Sequence, residues 1–132
     1  MFRFTRPVFQ AVKRTTGITG LAVHPNPLPE LIKTYESTLT TVNALPQTSV
    51  YRQSVEALIK HKLNIVKTAN GDISAAEKQL QEGQIEESLD IASDELALAG
   101  KMLEWKAWEP LAEKPEPGQW DYAGETTTAT SS

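Results

Sequence analysis

The chain has 132 residues and no cysteine, with 13 Lys plus Arg, 17 Asp plus Glu and 2 His, for a formal net charge of −4. That length favours one domain burying roughly two-thirds of its unfolded surface, and the lack of thiols excludes a disulfide framework, a thiolate-held zinc or iron–sulfur cluster and a cysteine nucleophile. No apolar run approaches the roughly 18 residues of a membrane span, and an acidic balance with dispersed bases argues against nucleic acid as the main partner.

The net charge conceals a gradient: residues 1–29 carry +4, residues 30–71 carry +2 and residues 72–132 carry −10. The first fourteen residues hold four bases, no acid and all three Phe of the chain, Phe2, Phe4 and Phe9. Amphipathic, Arg-bearing and acid-free, this head has the pattern of a mitochondrial targeting segment or of a basic arm lying on a partner. Residues 15–27 are turn-rich, with Gly17 and Gly20. Their spacing is not that of a phosphate loop: Leu21 stands where the Walker pattern needs Lys, and the third glycine of a dinucleotide fingerprint is missing.

From residue 28 a helical period takes over. Leu28, Leu31, Ile32, Tyr35, Leu39, Val42 and Leu45 form one apolar stripe, opened by Asn26 or Pro27 and closed by Pro46. Thr48 or Ser49 is the next N-cap, and Tyr51, Val55, Leu58, Ile59, Leu63 and Val66 make a second stripe ending at Asn70-Gly71. The short connection predicts antiparallel packing. Asp72 and Ser74 open a shorter helix in which Ser74 to Glu77 matches a capping box. The longest pattern follows, with Ile85, Leu89, Ala92, Leu96, Ala99 and Leu103 as a seam that Ile91, Leu98, Met102 and Trp105 widen, ending near Glu109 before Pro110. Beyond it, a Pro-rich polar tail carries two aromatics, Trp120 and Tyr122. The predicted fold is all-α: an antiparallel three-helix bundle over 28–109 with an extra short helix before the long third helix, flanked by an extended basic N-terminal segment, 1–27, and an extended tail, 110–132.

Catalytic or metal-binding constellations are missing from this pattern. His24 lies in a turn and His61 on a Lys-flanked helix, neither in a metal-binding spacing. Glu86, Asp90 and Asp94 align at i, i+4 and i+8, a row whose mutual repulsion calls for facing bases on Lys60, Lys67 or a partner. The row is therefore a candidate docking face, with a solvated helix surface as the plainer alternative. Trp105 follows the bundle face and reads as core. Trp108, at the helix exit, reads as an intersubunit anchor, and Trp120 and Tyr122 as a docking pair in the tail.

A series of short motifs carries a resemblance. Thr15-Thr16-Gly17, Gly20-Leu21-Ala22-Val23, Leu45-Pro46, Tyr51-Arg52, Val66-Lys67, Gln79-Leu80 and Gly83 to Glu87 come in order. Glu95-Leu96, Lys101-Met102, Glu104 to Leu111 and Gln119-Trp120 complete the series. Over about residues 13–122 the chain resembles the subunit 5 family of the NADH dehydrogenase 1 alpha subcomplex, accessory subunits of mitochondrial respiratory complex I. The resemblance implies a non-catalytic helical subunit, without cofactor, peripheral on the matrix side of the mitochondrial inner membrane. It also implies a hetero-oligomer in which the subunit supports assembly and stability of the peripheral arm beside other subunits, including the 30 kDa iron–sulfur-arm subunit. Arg52 joins the candidate docking residues through its place in the matched Tyr51-Arg52 motif. A helical scaffold or assembly factor of another mitochondrial complex would share the bundle and the charge polarity, but not the ordered motifs. A carboxylate-metal enzyme would need acids or His opposite Glu86 and Asp90, where the second helix offers only Glu56 and His61.

Overall fold

A computed structural model describes residues 13–119. Within them lie four helices and no strand: α1 (Pro27–Val42), α2 (Val50–Thr68), α3 (Ile73–Leu80) and α4 (Ile85–Trp105). The all-α bundle expected from the apolar periods is the observed fold.

Each helix end has a local cause. Pro27 occupies the first turn of α1, where its missing N–H costs nothing. The helix stops at Val42, four residues before Pro46, because the chain tightens into i→i+3 bonds from Ala44 to Thr41 and from Leu45 to Val42. Ser49 caps α2 by accepting from the Arg52 N–H. Asp72, not Ser74, caps α3 by accepting from the Ala75 amide at 3.2 Å. Glu77, expected to close a box within α3, instead accepts from the amide of Ile85 at 2.9 Å and so ties α3 to the start of α4. Glu87 folds back onto the Gln84 amide at 2.7 Å. Two acids thus satisfy orphan donors at the positive end of α4. The helix ends at Trp105, earlier than Glu109, because Lys106 adopts a left-handed conformation at φ 50°.

The core is aliphatic with one ring inside: Leu28, Leu31, Tyr35, Val42 and Leu45 from α1 and its exit, Val55, Ile59 and Val66 from α2, Ala76 from α3, and Ile85, Ala92 and Ala99 from α4. The helix α1 is the shared element. It packs most extensively with α4 and next with α2, whereas α2 and α4 touch each other far less. The end of α2 lies by the start of α1, where Val66 and Lys67 share a hollow with Pro27 and Leu28. The starts of α1 and α4 adjoin at Pro27 and Ile85, and their ends adjoin at Leu45 and Met102. The course is therefore up, down, up, with α3 as the connector between the second and third long helices.

Candidate docking surface

The segment before α1 is built into the fold from Lys13 onward. The Thr16 hydroxyl, almost fully buried, donates to Leu21 O at 2.6 Å and closes a turn around Gly17 and Gly20, both at positive φ. The Gln84 side-chain amide donates to Thr16 O at 2.6 Å, and Lys13 Nζ bonds Glu86 Oε2 at 2.6 Å. The His24 amide also reaches Glu86, at 3.4 Å to Oε1. Residues 13–26 thus form a strap across the N-terminus of α4. Of the segment 1–27 expected as a targeting or docking arm, residues 13–26 pack on this chain's own α4, and residues 1–12 lie outside the described residues.

This strap changes the acidic row. Glu86 is only 3% exposed, so it faces the strap and not a partner. Burial opposes its ionisation, but the Lys13 ammonium and amides, including that of His24, prevail and hold its carboxyl below the usual range. Asp90 and Asp94 are exposed. Spacing of i, i+4, i+8 implied one face; the strap, invisible to a helical period, covers the first member only.

Arg52 is likewise turned inward. It donates to Asn43 O at 3.1 Å, to Leu45 O and to Asn43 Oδ1 at 3.3 Å, and pairs with Glu56 at 3.6 Å. A guanidinium with several donors in a fixed fork is suited to this task, and here it caps the unpaired carbonyls at the exit of α1. Its role is to lock the α1–α2 corner.

The two tryptophans exchange the places expected for them. Trp105 is 62% exposed, whereas Trp108 packs against the core and lines a hollow with Leu45, Tyr51 and Met102. The cause is Lys106: its left-handed backbone ends the helix and turns the chain so that Trp108 folds back. Ile91 and Leu98, expected to widen the core face, are 46% and 40% exposed. Trp120 and Tyr122 lie outside the described residues.

Two half-buried polar contacts join the helices. Tyr51 donates to Glu95 Oε1 at 2.6 Å, linking α2 to α4, and Lys62 of α2 bonds Glu82 in the α3–α4 link. Among the described residues, Tyr35 Oη and Glu82 Oε2 are buried without a hydrogen-bond partner. Burial and the Glu82 charge push the Tyr35 phenol above its ordinary range.

Among the described residues no group of three or more His, Asp or Glu is placed to hold a metal, and no helix is long and apolar enough to cross a membrane. His24 Nδ1 accepts from the Asn26 amide at 3.2 Å, and His61 is exposed on α2. The hollow between α1 and α2 offers only Asn26, Lys67 and Asn70 as polar side chains along an apolar wall, too few for acid–base or nucleophilic chemistry.

The class these observations define is an all-α bundle with a strap across the start of α4 and with Ile91, Leu98, Trp105, Asp90 and Asp94 of that helix exposed. Residues 20–87 match the ETC complex I subunit conserved region. The chain is 42% identical over 111 residues to NADH dehydrogenase [ubiquinone] 1 alpha subcomplex subunit 5 of Bos taurus, covering 84% of this chain and 95% of that one. It is 45% identical over 103 residues to the probable mitochondrial subunit 5 of Arabidopsis thaliana, covering 78% and 60% of the two chains. To the alpha subcomplex subunit MCI4 of Candida albicans it is 44% identical over 110 residues, covering 83% and 78%. The chain belongs to the NADH dehydrogenase 1 alpha subcomplex subunit 5 family.

Proposed function

We propose that this chain is an accessory subunit of mitochondrial NADH:ubiquinone oxidoreductase, complex I. It supports assembly and stability of the matrix-facing peripheral arm, and so electron transfer from NADH to ubiquinone, without taking part in catalysis. It is bound peripherally on the matrix side of the inner membrane as part of a hetero-oligomer that includes the 30 kDa iron–sulfur-arm subunit. The observation that carries the reading is 42% identity extending over 95% of the bovine relative, whose name places that protein in the alpha subcomplex. The polar groups of the chain support it: Glu86, Arg52, Glu77 and Lys62 tie elements together. In native gel electrophoresis of mitochondria containing the chain, it is expected to comigrate with NADH dehydrogenase activity. Migration as a free small protein would refute the assignment.

A further inference from the structure

The helix α4 carries two heptad rows one residue apart. The inner row, Ile85, Ala92 and Ala99, is buried against the bundle. The outer row, Ile91, Leu98 and Trp105, holds larger side chains and is 46%, 40% and 62% exposed. Residues seven apart drift by only about 20° on a straight helix, so the outer row is one line about 21 Å long. The strap extends it, since Ile18, 44% exposed, lines a hollow with Ile91 and Asp90. A helix that buries Ala92 and Ala99 and leaves the parallel line Ile91, Leu98 and Trp105 in water is positioned for a second contact.

Charge identifies the occupant. Asp90 and Asp94 border this line and are exposed, and among the described residues neither has an ion-pair partner. The one nearby base on the same helix face, Lys101, is bonded to Glu104 at 2.9 Å. A second copy would bring two segments of −10 charge together, so a basic partner is favoured.

We infer that the outer face of α4, from Ile18 through Ile91 and Leu98 to Trp105, is the surface by which this subunit docks a basic amphipathic helix of a neighbouring protein. The helix lays its own apolar stripe along the row, and its Lys or Arg side chains meet Asp90 and Asp94. This deepens the proposed function and rests on it.

The test uses mitochondria whose only copy of the subunit is the full chain or a variant. A photo-cross-linking phenylalanine at Leu98 is expected to capture a helical segment of another subunit with bases beside an apolar stripe. The same group at Leu58 of α2, also exposed, is not. The double variant Asp90→Lys with Asp94→Lys, on exposed sites, is expected to lower the chain found with NADH dehydrogenase activity by at least about tenfold, as like charges face each other. The purified variant should melt as the parent does, so that loss of the fold is separated from loss of docking. Undiminished comigration of the double variant, or cross-linking of Leu98 to an acidic segment, to lipid or to a second copy, overturns the proposal alone. A parent chain that migrates free overturns the assembly reading and this proposal together.

Discussion

Among the described residues Tyr35 is the largest fully buried side chain, yet its hydroxyl has no hydrogen-bond partner there. A buried donor left unpaired loses its hydration without compensation, so Tyr35→Phe removes a cost and keeps the ring. Chemical denaturation should find the variant equal to the parent or up to about 1 kcal/mol more stable; a loss of that size would reveal a bond to Glu82. The tryptophans make a second test at this scale. Trp108→Ala vacates a contact with the core and should cost about 1–3 kcal/mol, whereas Trp105→Ala, on the exposed row, should stay within about 0.5 kcal/mol. Equal losses would contradict the arrangement. Which Trp was core was not legible from spacing, because a period assigns faces only while the helix lasts, and the left-handed Lys106 ends it between the two.

Among elements, the strap and the start of α4 depend on one ionised carboxylate. Glu86 has a depressed folded value, so its contribution is present above the ordinary unfolded value of about 4.3 and is lost as pH falls through the folded one. Glu56 is depressed too, first by its hydrogen bond to Lys60, so Glu86 accounts for only part of the acid limb. Glu86→Gln should therefore be less stable than the parent at pH 6, with a gap that closes below about pH 4. Amide exchange at His24 should speed up over the same range in the parent. A gap that persists unchanged in acid would mean that the strap is held without the ion pair. The helices themselves were readable from their stripes, Ser49 from its cap chemistry and the start of α1 from Pro27 in its first turn; Asn26 makes no side-chain cap bond. The strap was not, because it is made by pairs 73, 68 and 62 residues apart, and no local pattern encodes those.

For the whole molecule, the placement of α1 between its two neighbours predicts that the bundle unfolds as one cooperative unit. Leu31 is fully buried in α1, and Leu31→Ala should lower stability by about 2–5 kcal/mol. Helical circular dichroism and the fluorescence of Trp105 and Trp108 at the far end of α4, read with Trp120→Phe in both parent and variant, should still lose signal together. Separate transitions would show that α4 folds independently of α1.

The sequence by itself determined that the protein is helical, where its long helices run, that it has no thiol chemistry and that its rear half is strongly acidic. Its ordered motifs also carried the family. These are properties of period, cap chemistry and composition, all local or additive. Only the tertiary structure decided which charges face out. Glu86 and Arg52 are consumed inside the fold by the Lys13 strap and the α1–α2 corner, and Asp90 and Asp94 are left at the surface. It also decided that α4 buries its small row on α1 and shows its large one, because that choice depends on how closely two helices approach.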